Sequence, residues 1–148
     1  MGSKRMLGTR INRLDAKGRM AIPAKWREQL GEEVVVTAGM ESCLFVYRTD
    51  DFDELADKIE DAPFLSDESA RYFQRKMLSD AEELSLDKQG RILLTPEHRK
   101  YAQLESEMDV VVKGVGNHLE IWNAAIWEKY ENEGSYSESG KALREQGL

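Results

Sequence analysis

Two short segments of the chain carry the same charged residues at the same spacing. Residues 14–19 read LDAKGR, and residues 86–91 read LDKQGR. In each segment an aspartate precedes an arginine by four positions, and a glycine stands directly before that arginine. Asp and Gly at these places are typical of a tight turn, because Asp favours the first turn position and Gly permits positive φ. Lysine and arginine on a tight turn can approach a phosphate backbone closely, which indicates nucleic-acid binding.

The similarity continues downstream of both segments. Each is followed by an apolar run, a proline and a further arginine, Arg27 or Arg99, which stands twelve positions after the aspartate. Valine-rich runs, glycine-bearing turns and aromatic residues then follow in the same order. A repeat of this length decides the fold, and one unit alone would have only a thin core. We therefore predict two copies of one unit that pack into a single compact domain.

The predicted boundaries divide the chain into four parts. The first repeat covers residues 6–60, a connecting helix 61–78, the second repeat 79–133, and a mobile tail of Gly, Ser and charged residues 134–148. Alternation and β-branched runs predict strands at residues 7–14, 19–22, 34–37, 43–47, 110–112 and 118–122, and residues 83–86 begin the second unit. Capping residues predict helix starts at Pro23, at Thr49 or Asp50, at Ser66, at Thr95-Pro96 and at Asn123.

Charge is distributed unevenly along the chain. The net charge of the 148 residues is −7. Residues 1–30 nevertheless contain eight Lys or Arg against two Asp or Glu, a net charge of +6, so the remaining residues carry −13. This asymmetry predicts a basic working edge on an acidic body that repels phosphate elsewhere.

Several classes of protein and site are disfavoured by the same sequence. It has no long apolar run for a transmembrane helix and no apolar N-terminal segment of a secretory signal. Its one cysteine, Cys43, suits a reducing compartment, so we expect a cytoplasmic protein without a membrane partner. Nucleic-acid binding by the turns would make it nucleoid-associated. His98 and His118 are too few and too far apart for a metal site. We find no nucleophile–base constellation or phosphate loop, and we expect no enzyme activity, cofactor, metal or small-molecule substrate.

Longer stretches of the chain match a known pattern. They are the two Asp-x-x-x-Arg segments, GRMAIPAKWR at residues 18–27, CLFVY at 43–47 and GVGNHLEIW at 114–122. With these motifs the chain resembles the MraZ family of bacterial transcriptional regulators, relatives of the AbrB-like swapped-hairpin barrels. The resemblance covers residues 6–133, and the paired arrangement of the motif within one chain is specific to that family.

The resemblance implies a fold and a function. The fold is α+β, a pseudo-twofold swapped-hairpin β-barrel made of two internal repeats and flanked by helices. Subunits assemble head to tail into a ring. The ring binds short G-rich direct repeats of double-stranded DNA in a promoter upstream of the division and cell-wall gene cluster, and it represses or tunes that cluster. One departure is visible: the proline of the second repeat, Pro96, stands one position later than Pro23, which puts the equivalence of the two short helices in doubt.

The first copy of the motif has more basic neighbours than the second, so we expect the first repeat to meet DNA. The DNA-binding candidates are Arg10, Arg13, Lys17 and Arg19, against Lys88 and Arg91 near the second copy. The residues expected to build the turns are Asp15, Gly18, Asp87, Gly90 and Arg91. Arg19 is evenly balanced between pairing with the aspartate and contacting DNA. Arg27 and Arg99, on the short helices, are expected to form structural or interface ion pairs.

Alternative functions remain open at this point. An AbrB-like antitoxin or transition-state regulator would bind DNA and use the acidic tail on a protein partner, although such antitoxins carry one copy of the unit. A structural ring with only non-specific DNA binding is a further reading. Selection of DNA sites from a randomised pool distinguishes a sequence-specific regulator from that ring.

Overall fold

The computed structural model describes residues 5–62 and 67–147, and its elements mix helices with antiparallel strands. The strands are β1 (Met6–Arg13), β2 (Arg19–Ala21), β3 (Glu33–Ala38), β4 (Leu44–Arg48), β5 (Glu82–Ser85), β6 (Arg91–Leu93), β7 (Asp109–Gly116) and β8 (His118–Asn123). The helices are α1 (Ala24–Leu30), α2 (Thr49–Glu60), α3 (Glu68–Ser79), α4 (Pro96–Ala102), α5 (Ala124–Glu133) and α6 (Tyr136–Glu145). No helix in these two described ranges is long and apolar enough to cross a membrane.

The sheets show that the repeats exchange their first strands. Strand β1 pairs antiparallel with β7 of the second repeat, and β5 of the second repeat pairs with β3 of the first. The resulting six-stranded sheet has the order β1-β7-β8-β4-β3-β5, and β2 with β6 forms a second, two-stranded sheet. The predicted α+β fold of two swapped repeats flanked by helices is confirmed. Strands β1 and β5 are the edges of the larger sheet, so strand pairing does not close the barrel within the described chain.

The two-stranded sheet lies at the pseudo-twofold axis. Met20 of β2 stands opposite Ile92 of β6 at the centre of the pairing. Matching backbone bonds extend it at both ends, from Ile22 N–H to the Gly90 carbonyl at 2.9 Å and from Leu94 N–H to the Gly18 carbonyl at 3.0 Å. The swap therefore brings the Asp-x-x-Gly-Arg turn of each repeat against the other repeat.

Apolar side chains fill two layers, one on each face of the larger sheet. The interior layer includes fully buried side chains from both repeats, among them Leu14, Met20, Ile22, Ile92 and Leu94. The outer layer packs the sheet against α2, α3 and α5 and contains Val35, Cys43, Phe45, Tyr47 and Trp122. Each large apolar side chain buried in this way contributes about 1.5–3 kcal/mol to folding. Burial also raises the pKa of the Cys43 thiol to about 12, as suits a packing residue.

The short helices α1 and α4 are equivalent despite the displaced proline. Each is seven residues long and begins nine positions after the motif aspartate. In α1 the proline is the N-cap residue Pro23, so its prediction as the first helical residue was wrong by one position. In α4 the N-cap is Thr95, whose hydroxyl accepts a 3.1 Å bond from His98 N–H. A proline without an N–H is tolerated at either place, since neither needs an intrahelical donor.

The capping predictions for the longer helices have mixed outcomes. Asn123 caps α5 as predicted, because its side chain accepts bonds from the N–H groups of Ala125 and Ile126. The cap predicted at Thr49 or Asp50 was wrong: α2 begins at Thr49 with Arg48 as its N-cap residue.

Two further predictions concern the connecting helix and the tail. The predicted cap Ser66 lies outside the described residues, and the N-cap of α3 is Asp67, which accepts a bond from Ser69 N–H at 2.8 Å. The tail contains α6, a helix that the sequence did not predict and whose side chains are almost all exposed.

Candidate nucleic-acid interface

The first motif forms a closed turn built on the carboxylate of Asp15. Its Oδ1 atom accepts the N–H groups of Lys17 and Arg19, both at 2.9 Å, and its Oδ2 atom accepts Arg19 Nε at 2.8 Å. Gly18 closes the turn with a 3.0 Å bond to the Asp15 carbonyl and has φ +84°, which suits glycine. Lys17 stands exposed at the tip. The turn therefore holds an ammonium group out toward solvent on a rigid backbone.

The second motif repeats this geometry. Oδ1 of Asp87 accepts the N–H groups of Gln89 and Arg91 at 2.9 Å, and Oδ2 accepts Arg91 Nε at 2.8 Å. Gly90 has φ +74°. Gln89 occupies the place that Lys17 has in the first turn, and the lysine of the second turn, Lys88, comes one position earlier. The turns are thus alike in backbone and different in where the positive charge lies.

Hydrogen bonding keeps both motif aspartates ionised. The backbone N–H of Arg19, together with the other donors, lowers the pKa of Asp15 to about 2, and Arg91 lowers the pKa of Asp87 in the same way. Arg91 also crosses the pseudo-twofold axis, where its Nη1 atom lies 3.9 Å from Oδ2 of Asp15. The aspartate of the first turn therefore lies between two guanidinium groups.

Strand β1 separates the other two DNA-binding candidates. Arg13 lies on the outer face and forms an exposed ion pair with Asp109 at 3.3 Å, of a kind that contributes about 0–1 kcal/mol. Arg10 lies on the opposite face, because neighbouring strand residues at odd and even positions alternate. Its Nη1 atom donates to the Thr9 carbonyl at 2.9 Å, and no carboxylate pairs with it in the described ranges. The structure thus brings Lys17 and Arg19 together in one turn and places Arg10 and Arg13 on different faces.

A further basic residue, Lys25, lies against Gly8 on the strand that carries Arg10. A Cβ atom placed on Gly8, which has φ +102°, would stand 2.9 Å from Lys25 Nζ. Gly8 and Arg10 are two positions apart on one strand face, so the ammonium group of helix α1 joins the face that carries Arg10. Lys25 was not among the predicted DNA-binding residues, because it lies on helix α1 after the turn and not on the turn or the strand before it. Its place in the basic segment of residues 1–30 is the sequence signal that could have identified it.

Arg27 and Arg99 cross to the opposite repeat. The guanidinium of Arg99 covers Gly18, where an added Cβ atom would be 2.8 Å from its Cζ atom, and Arg27 covers Gly90 in the same manner. Within the described part of the chain neither arginine has the ion pair expected from the sequence. Each turn therefore requires glycine both for its backbone angle and for the arginine that lies on it.

Comparison with known proteins finds a matching family model and relatives that are similar over most of the chain. The family model described as "MraZ protein, putative antitoxin-like" matches the chain twice, over residues 6–76 and 77–147. A relative from Desulfitobacterium hafniense is 42% identical over 144 residues, which cover 96% of this chain and 99% of the relative. A relative from Saccharopolyspora erythraea is 43% identical over 135 residues, 90% of this chain and 92% of its own length. Both carry the name "Transcriptional regulator MraZ".

Proposed function

This chain belongs to the MraZ family, and on that premise we propose that it is a transcriptional regulator that binds double-stranded DNA through the first repeat. Family membership identifies it as a regulator rather than an enzyme. The observation that carries the proposal is the first turn, where Lys17 is presented beside Arg19 on a backbone fixed by Asp15.

The turn offers two kinds of contact to a duplex. Lys17 is exposed and has no carboxylate partner among the residues described, so it is available to neutralise a phosphate. Arg19 bonds to Asp15 through Nε, and its Nη atoms have no hydrogen-bond partner in the described chain. A guanidinium held in this way can pair with guanine O6 and N7, which is worth about 1–3 kcal/mol of discrimination.

The proposed operator is a set of short G-rich direct repeats upstream of the division and cell-wall gene cluster, which the protein represses. The proposed assembly is a head-to-tail ring, because direct repeats match subunits that all face the same way around a rotation axis, whereas palindromes match twofold dimers. A ring presents several first turns at once, so each added contact is intramolecular and raises avidity. This part of the proposal rests on the family resemblance.

The edge of the larger sheet supports self-association. Leu7 and Ile11 on β1 are 58% and 61% exposed, and Val115 on the paired strand β7 is 43% exposed. Apolar side chains along an unpaired edge strand are usually covered by a partner. A second copy of the chain is the partner that a homo-oligomeric ring provides.

The test of DNA recognition starts with selection of duplex sites from a randomised pool by the full chain. The affinity of the enriched duplex is then measured by fluorescence anisotropy over a range of salt concentrations. We expect a G-rich direct repeat and steep salt dependence. We also expect Lys17→Ala and Arg13→Ala each to weaken binding roughly three- to tenfold. Lys88→Ala removes the same charge at the second turn and serves as the matched control.

Two results would contradict parts of the proposal. Enrichment of no motif would leave only non-specific binding, and normal affinity in both first-repeat variants would remove the assigned site. Light scattering on each variant checks that the ring persists, so that a loss of avidity is not mistaken for a lost contact.

One observation favours a second candidate, an AbrB-like antitoxin with a protein partner. Helix α6 stands exposed beyond the second repeat, with Tyr136 97% and Leu143 52% exposed. A partner that binds α6 would copurify with the full chain and be lost when the helix carries Tyr136→Ser and Leu143→Ser. Retention of the partner by that variant would exclude α6 as its site.

A further inference from the structure

We propose that helix α4 of the second repeat completes the DNA-binding surface of the first turn, with Arg99 and Lys100 contacting phosphates of the duplex that meets Lys17. The inference rests on the proposed DNA binding and adds a contribution from the other repeat. The surface would then be built across the strand swap and not by one repeat alone.

The first step is the position of Arg99. Its guanidinium lies on Gly18, in the middle of the first turn, and is only partly exposed. Its Nε atom is buried without a hydrogen-bond partner in the described chain. The Nε atom of the equivalent Arg27 is buried without a partner as well, but its Nη2 atom donates to the Ile22 carbonyl at 2.7 Å, a bond that Arg99 lacks among the described residues. A partly buried guanidinium without a counter-charge is stabilised by an anion, and phosphate fits its fork of donors.

The second step is the groove next to this arginine. Arg99 and Lys100 line an open groove of about 500 Å³ together with Gln103, Glu105 and Ser106. Lys100 is exposed. Glu105 is the acidic side chain that lines this groove, so two cations face one anion there.

The third step is the equivalent groove at the second turn. It measures about 670 Å³ and is lined by Arg27, Glu28, Glu32, Asp87 and Lys88. Glu28 follows Arg27 as Lys100 follows Arg99, so the swap places an acidic residue beside the second turn and a basic residue beside the first. Asp87 and Lys88 belong to the turn itself, and without them two carboxylates face one cation in this groove. Phosphate is therefore attracted at the first turn and opposed at the second.

The experiment measures duplex affinity against salt concentration for Lys100→Gln and Arg99→Gln in the full chain. The probes are the duplex enriched by selection and a mixed-sequence duplex of the same length. We expect each variant to lower the slope of log affinity against log salt by about 0.9 for each DNA site, and to weaken binding roughly three- to tenfold on both duplexes. Lys88→Gln, which loses the same charge at the other turn, should leave the slope unchanged.

Arg99→Lys keeps the charge if loss of the guanidinium disturbs the turn. It should retain the slope, whereas Arg99→Gln should not. The inference would be overturned if Lys100→Gln, Lys88→Gln and the unaltered chain had equal slopes while Lys17→Gln still reduced binding. If the unaltered chain bound neither duplex, the proposed function itself would fail, and if Lys17→Gln had no effect, the role assigned to Lys17 would fail, so these failures are distinguishable from failure of the inference.

Discussion

The two motif turns share a backbone and differ in their surroundings. Asp15 and Asp87 accept the same three donors at the same distances to within 0.1 Å. The strand that enters each turn is different: Arg10 stands five positions before the first aspartate, and Glu82 stands five positions before the second. The motif therefore sets the backbone of both turns, and under the proposed function the surrounding charges decide which turn meets DNA.

The short helices extend the same contrast. Helix α1 places Lys25 next to β1 of the first repeat, and the equivalent residue of α4 is Glu97. Because the strand swap also sends α4 to the first turn and α1 to the second, each turn is flanked by residues of both repeats. A duplicated unit can therefore acquire one binding face without changing the motif that holds the fold together.

The largest expected effect comes from reversing the charge on the entering strands. Arg10→Glu should weaken duplex binding roughly ten- to a hundredfold, since it removes a cation and adds an anion where phosphate approaches. Glu82→Arg is the matched change in the second repeat, and it should leave the affinity within about threefold. Anisotropy at two salt concentrations checks both. Similar losses from the two reversals would show that the duplex contacts both repeats. The entering strands would then not distinguish the two turns.

The turn glycines give the next effect, on stability. Alanine at Gly18 or Gly90 must adopt positive φ and displace the arginine that lies on it. Each substitution should lower the free energy of unfolding by about 1–3 kcal/mol, as measured by urea denaturation. The two variants should differ in DNA affinity, because only Gly18→Ala displaces Arg99 at the proposed interface. Equal DNA affinities in the two alanine variants would contradict that difference.

Features that depend on residues close together in the chain could be predicted from the sequence, and features that depend on distant residues could not. The turns were predictable because Asp15 and Gly18 act within five residues of chain, where capping and φ preferences decide the structure. The swapped fold followed from the repeat and the family resemblance. The position of Arg99 on Gly18 was not predictable from local pattern, because 81 residues separate them and only the pairing of β2 with β6 brings them together.

Helix α6 illustrates a second limit. Its two large apolar residues, Tyr136 and Leu143, lie seven positions apart and so share one face of the helix, but Gly and Ser among the intervening residues obscured that spacing. The structure forms a local helix with Ser135 as its cap, which accepts a bond from Glu138 N–H at 3.2 Å. The cap and the bond from Lys141 Nζ to Glu138 at 3.2 Å are local contacts, and a search for buried apolar faces does not detect them.

Lys25 should show a smaller effect than the charge reversals. Lys25→Ala removes the ammonium group that lies against Gly8 and should weaken duplex binding roughly threefold, with a fall of about 0.9 in the salt slope if it neutralises a phosphate. Glu97→Ala is the control at the equivalent helix position and should not weaken binding. A normal slope for Lys25→Ala would exclude helix α1 from the interface.

The smallest difference expected between the repeats lies in the acid dependence of stability. The pKa of Asp15 is about 2 in the folded chain, below its ordinary value of 3.8, so the carboxylate stabilises the fold fully above about pH 4. That contribution is lost as the pH falls from about 4 toward 2.

The pKa of Asp87 is also lowered, but Arg91 lies within 3.9 Å of Asp15 as a second cation. Asp15→Asn should therefore flatten the dependence of the unfolding midpoint on pH between about 4 and 2 more than Asp87→Asn does. Urea denaturation at several pH values measures the two slopes. Identical slopes would mean that the second arginine adds nothing to the first turn, and that the two motifs are equivalent in electrostatics as well as in backbone.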